Sequence, residues 1–143
     1  MNQYFEQMVL SASPVELIRL LYQKGIASTR SAREHLKNRR IAERGQAINN
    51  VILILDELVG SLRPEEAPEL SRRLKGLYLY MQRRLVEANL KQQDQPLAEV
   101  LGLLTVLAEP WNNTSLNWNG SAYKPWASAD LSAEERGRIA VSA

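Results

Sequence analysis

Apolar residues recur at helical spacing along most of this chain, and helix start and stop signals divide the pattern into four segments. Ser13-Pro14-Val15-Glu16 reads as a capping box with proline at the first helical position. The Ser13 hydroxyl is placed to accept from the N–H of Glu16, and the Glu16 carboxylate to reach back. A helix is predicted from there over residues 14–36, followed by a polar connection over 37–40. The second helix covers 41–61, with Gly60, Ser61 and Pro64 marking its end. After a loop punctuated by Pro64 and Pro68, the third runs over 65–92. Gln93-Asp94-Gln95-Pro96 is a turn, with Asp94 or Gln95 as cap. The fourth helix continues to about 108 and stops before Pro110.

No stretch alternates polar and apolar residues as a strand would. Four helices with short connections predict an all-α, antiparallel up-and-down four-helix bundle. Helices of this length are about 30–40 Å long at 1.5 Å per residue. The expected organisation is a bundle over 1–111, opening with a short N-terminal segment, and an irregular tail over 112–143. That tail has loop composition, yet it holds Leu116, Trp118, Tyr123 and Trp126. Unfolded tails are usually poor in aromatics, so it is expected to pack, with a short helix over 130–139.

Drawing the helices at 100° per residue separates two kinds of apolar position. In the third, Leu70, Leu74, Leu77, Met81, Leu85 and Ala88 share one stripe, the expected core face. Leu79, Val86 and Leu90 form a second stripe on the far side. In the second helix Ile48, Val51, Leu55, Leu58 and Leu62 face the core, and Leu53 falls among Asp56 and Glu57. In the fourth, Leu97, Val100, Leu101, Leu104 and Leu107 face inward, with Leu103 at the margin and Val106 outside. Three explanations fit the outward residues: ordinary surface leucines, burial under the chain's own ends, or a groove for an amphipathic partner helix, a second copy included.

The chemistry of the chain narrows its function. It has 143 residues, no cysteine and a single histidine, His35. Thiolate nucleophiles, cysteine metal sites and most histidine metal sites are excluded. There is no glycine-rich phosphate loop, and the paired Glu-x-x-His of a bundle metal site is missing. No enzymatic activity and no cofactor or metal are expected. His35 reads as a solvated residue near a helix end. Lys plus Arg is 18 against 16 for Asp plus Glu. That balance, with no aromatics among Arg39, Arg40 and Arg44 or among Arg72, Arg73 and Lys75, reads as solvated basic faces with no nucleic-acid partner. The longest unbroken apolar run, over 51–55, is far too short to span a bilayer, so no membrane insertion is expected. No secretory signal is visible in MNQYFEQ, and the cytoplasm is the expected compartment.

Several pieces of the chain, taken in order, resemble a known family. Tyr4, Val9, Ser11-Ala12-Ser13-Pro14, Glu16-Leu17-Ile18 and Leu20-Leu21-Tyr22 are similar to the N-terminal signature of the flagellar secretion chaperone FliS family. Gly25-Ile26 continues it, although Gln23-Lys24 stands where the family often has Asp-Gly. Ile48 through Ile54-Leu55-Asp56-Glu57-Leu58 resembles the family's second helix. Leu74-x-x-Leu77-Tyr78-x-Tyr80-Met81 and Leu85-Val86-Glu87-Ala88-Asn89 resemble its third, and 97–111, ending in Trp111, its closing helix.

The resemblance implies a cytosolic export chaperone. It would bind the disordered C-terminal segment of flagellin, prevent premature polymerisation and deliver the subunit to the flagellar type III export apparatus, with an export-gate component as a further partner. Leu53, Leu79, Val86, Leu90, Leu103 and Val106 would then line the flagellin groove. The N-terminal segment, through Tyr4, Phe5, Met8 and Val9, would cover part of it when no partner is bound. The rival reading is a generic helical adaptor or dimerisation module that takes an amphipathic helix without preference for flagellin. Oligomeric state is left open by the sequence.

Overall fold

The computed structural model describes residues 13–112. Four helices fill this span: α1 (Pro14–Lys37), α2 (Ile41–Gly60), α3 (Pro68–Lys91) and α4 (Asp94–Asn112). They pack in a ring, α1 on α2, α2 on α3, α3 on α4, and α4 back on α1. Short connections make each helix antiparallel to the next, giving the up-and-down four-helix bundle that the periodicity predicts.

The local signals explain most helix ends. Ser13 has extended backbone, and its hydroxyl accepts from the Glu16 N–H at 3.2 Å, as expected of an N-cap. Glu16 does not complete the reciprocal box, because its carboxylate pairs with Arg19 one turn on. At the other end of α1 the Arg40 N–H reaches the His35 carbonyl at 2.9 Å and the Arg39 N–H reaches that of Leu36 at 3.2 Å. This is a Schellman turn, with Arg39 at its left-handed position (φ 58°).

Two ends differ from expectation. α3 begins at Pro68 rather than at residue 65, since the residue before a proline is disfavoured in helical geometry and Ala67 is indeed non-helical (φ −145°, ψ 74°). α4 does not stop before Pro110 but carries it and ends at Asn112. Pro110 has no N–H to offer the Val106 carbonyl, yet Trp111 is buried in the core and holds the last turn in place.

The core is built from all four helices. Val51, Ile54, Leu55, Met81, Leu85, Leu97, Val100 and Leu104 are fully buried. Gly25 lies where α1 meets both neighbours: a Cβ there would stand 3.5 Å from Ile54 and 3.5 Å from Leu104, so nothing larger than a methyl fits without displacement. Diagonally across the bundle, Tyr22 of α1 and Tyr78 of α3 join hydroxyls at 2.6 Å in a buried hydrogen bond. Burial pushes the Tyr78 hydroxyl up to about 12 and holds that of Tyr22 well above its ordinary value, because neither phenolate would be solvated.

This pair corrects the expected core face of α3. Tyr78 takes the buried position and the neighbouring Leu77 is half-buried, as are Leu62 and Leu101. Two polar residues also lie deeper than expected. Arg44 is buried, its guanidinium donating to the Asn89 side chain at 2.9 Å, and is not part of a solvated cluster. His35 is half-buried in the last turn of α1, not solvated, and its Nδ1 is buried without a partner. The expected tail helix and the four aromatic and leucine residues of the tail lie outside the described residues.

Candidate functional site

The ring order and the interhelical hydrogen bonds place the outward apolar residues. Gln82 of α3 donates to the Ile52 carbonyl at 3.0 Å and to Asp56 at 2.8 Å, and Arg44 of α2 donates to Asn89. These bonds latch α2 to α3 and mark the side of α3 that faces α2. At 100° per residue, Leu79 lies about 60° from Gln82 on that helix, and Val86 about 40°. Both therefore sit on the outer shoulder of the α2–α3 seam, with Leu90 one turn further along.

On α2, Leu53 stands on the corresponding shoulder, about 60° round from Asp56. Exposure of these four side chains ranges from 40% at Leu79 to 77% at Leu90. Ile41, the first residue of α2, is also well exposed at the Leu90 end of the seam. Sequence reasoning missed it. Seven residues before Ile48, it falls in register with the core stripe of α2 and reads as a core position, but it opens the helix directly after Arg39-Arg40, where the core has not yet begun.

The α4 pair differs. Val106 is exposed, but Leu103 is half-buried and packs on the core. Both lie on the α3 side of α4, the side marked by Glu99. A charged network occupies the seam between them and the α3 stripe. The Tyr80 hydroxyl donates to Glu99 at 2.8 Å and Arg84 to the same carboxylate at 2.7 Å. Arg84 also reaches Glu87 at 2.7 Å, and Lys91 reaches Glu87 at 3.1 Å. The bond from Tyr80, with Arg84 behind it, holds Glu99 below the usual carboxylate range, and Lys91 with Arg84 does the same for Glu87. The six expected groove residues thus divide between two faces: Leu53, Leu79, Val86 and Leu90 on α2–α3, and Leu103 and Val106 across the charged seam.

Tyr4, Phe5, Met8 and Val9 lie outside the described residues. The chain enters α1 beside a pocket of about 330 Å³ lined by Pro14, Leu17, Ile18, Gly60 and Leu62, with Arg63 and Glu65 at its edge. Among the described residues no group of three histidine or acidic side chains is placed to hold a metal, and no helix is long and apolar enough to cross a membrane. Arg72 and Arg73 are exposed and pair with Glu69 on their own helix.

The described residues thus form an all-α four-helix bundle with a row of large aliphatic side chains turned outward. Comparison with known proteins gives the family. Residues 1–117 match the family model described as flagellar protein FliS, and the chain belongs to that family. It is 38% identical over 111 residues to the flagellar secretion chaperone FliS of Salmonella typhimurium, an alignment covering 77% of this chain and 82% of the relative. It is 37% identical over 119 residues to FliSB of Pseudomonas aeruginosa, covering 80% and 94%. FliS of Bacillus subtilis is 32% identical over 108 residues, covering 76% and 80%. The family is one of chaperones, not of enzymes.

Proposed function

We propose that this protein is a cytoplasmic chaperone for flagellin, binding its disordered C-terminal segment and handing it to the flagellar export apparatus. The observation that carries the reading is the exposed row Leu53, Leu79, Val86 and Leu90 on the α2–α3 face of a bundle from the flagellar secretion chaperone family. A segment that orders on binding loses about 1–2 kcal/mol of backbone entropy per residue. Apolar burial at about 25 cal/mol per Å² has to offset that loss, so a long contact rich in aliphatic side chains is required. Val106 and Leu103 extend the contact beyond the charged seam, which a wrapping segment crosses more readily than a single straight helix.

The test is titration with a peptide of the C-terminal segment of flagellin from the same organism. Binding at about one to one is expected, with a gain of helical circular dichroism and a clearly negative heat-capacity change. Absence of both heat and helix gain at tens of micromolar rejects the reading. Equal binding of an unrelated amphipathic peptide favours the general adaptor instead.

A further inference from the structure

We propose that the groove between α1 and α4 docks an acidic amphipathic helix presented by a second protein. The proposal rests on the side of the ring opposite the α2–α3 face and does not depend on the flagellin reading.

The groove has a volume of about 560 Å³. One wall is a stripe of α1 in which Arg30, Arg33 and Lys37 recur at i, i+3 and i+7, with Glu34 beside them. The other wall is α4, where Asp94 and Leu101 are two turns apart. Leu36 and Leu101, both half-buried, supply apolar surface within it.

Charge is unevenly spent. Arg33 grips Asp94 in a two-pronged pair, Nε to Oδ1 at 2.8 Å and Nη2 to Oδ2 at 2.9 Å. This pair closes α1 onto the start of α4 and neutralises the one carboxylate that α4 brings. Glu34 accepts from the side-chain amide of Asn38 at 3.2 Å. Arg30 and Lys37 are exposed and have no ion-pair partner among the described residues, and the same is true of Arg39 and Arg40 in the turn just beyond. The N-terminus of α4 and the C-terminus of α1 meet at this end, so their opposite partial charges largely cancel and the side-chain cations set the local charge.

Arg30 and Lys37 make no ion pair although Glu34 is near, and set around two leucines they complement a helix that carries an apolar residue flanked by Glu or Asp. A nucleic acid fits less well. No aromatic side chain lines the groove to stack on a base, whereas two leucines are there to meet an apolar residue. The ordinary role for basic residues near the end of α1 is to complement its dipole. That role needs no second wall and predicts no preference for a peptide.

The test uses the full chain and an end-capped, fluorescent helical peptide about 14 residues long, about 20 Å. The peptide carries leucine flanked by glutamates on one face. Controls are the same peptide with lysine for each glutamate and a single-stranded oligonucleotide of equal negative charge. The acidic peptide should bind at least about tenfold more tightly than its lysine counterpart at low salt, and weaken as ionic strength rises. The double substitution Arg30→Glu with Lys37→Glu should weaken it by at least about tenfold with an unchanged thermal melt. Leu79→Asp should leave it unaffected. No binding at about 100 µM overturns the proposal, as does equal binding by the double variant. Tighter binding of the oligonucleotide with displacement of the peptide also overturns it, and assigns the patch to polyanions.

Discussion

The α2–α3 side and the α1–α4 side stand opposite each other in the ring and are built from the same kind of amphipathic helix. On the first, the polar latches Gln82–Asp56 and Arg44–Asn89 lie within the seam, and aliphatic side chains stand on its shoulders. On the second, an ion pair closes the seam and unpaired cations stand outside it. Inward positions answer to one shared core and leave little choice of residue. Outward positions answer only to solvent and to partners, so the two sides are free to differ. The apolar side gains affinity from area and depends weakly on salt, whereas the basic side gains it from charge and depends strongly on salt.

The largest effect should come from a change that removes both sides together. Leu85 is fully buried, and Leu85→Asp places an unpaired charge in the core both faces share. A loss of about 4 kcal/mol or more is expected, read as absence of a cooperative melt, with binding lost on both sides. The Tyr22–Tyr78 bond ties the α1 of one side to the α3 of the other. Tyr22→Phe leaves one buried hydroxyl without its partner and should cost about 1–3 kcal/mol, while the double Phe variant should recover much of that loss. A denaturant series on both variants measures the difference.

The same pair sets an alkaline limit. Its hydroxyls are raised in the folded state, so their contribution is complete below pH 10 and is lost as pH rises through the folded values, about 12 for Tyr78. Melting temperature should fall over that window, and much less in the double Phe variant. Leu79→Asp and Val86→Asp sharpen the contrast between the sides. Each should weaken the flagellin peptide by about tenfold or more, roughly 1.4 kcal/mol, with stability within about 0.5 kcal/mol of the parent. Calorimetry and a thermal melt on the same samples check both halves. The smallest effect belongs to the basic end. Arg39 occupies a left-handed position that glycine takes without steric cost. Arg39→Gly should therefore raise stability by about 1 kcal/mol at most, while weakening the acidic peptide and leaving the flagellin peptide untouched.

Much of the bundle was legible because helices announce themselves locally. Ser13-Pro14 fixed the start of α1, and the stripes of α2 and α4 gave most of the core. What was not legible depended on partners far away in the chain. Tyr78 is buried because Tyr22 meets its hydroxyl, Arg44 because Asn89 receives it, and α4 passes Pro110 because Trp111 has a place in the core. The outward residues could be picked from their periodicity, but their division between two faces could not. That division follows from the Tyr80–Glu99–Arg84 network, which becomes visible only when α3 and α4 are side by side. The α1–α4 groove escaped for a similar reason. Arg30, Arg33 and Lys37 look like any solvated stripe until Asp94 consumes only one of them.

The ring closure also has a consequence in time. Three of the four packed pairs join helices that follow each other directly in the chain, so each can form as soon as its second member exists. Only the α1–α4 contact closes a long loop, and such contacts carry the larger entropic cost and form late. During synthesis the apolar shoulders of α2 and α3 are assembled while α4 is still being made. The basic groove becomes a surface only at the final docking step. The same order runs backwards in the folded protein: partial opening should begin by detaching α4, and amide hydrogen exchange should be faster in its first turns than in the middle of α2.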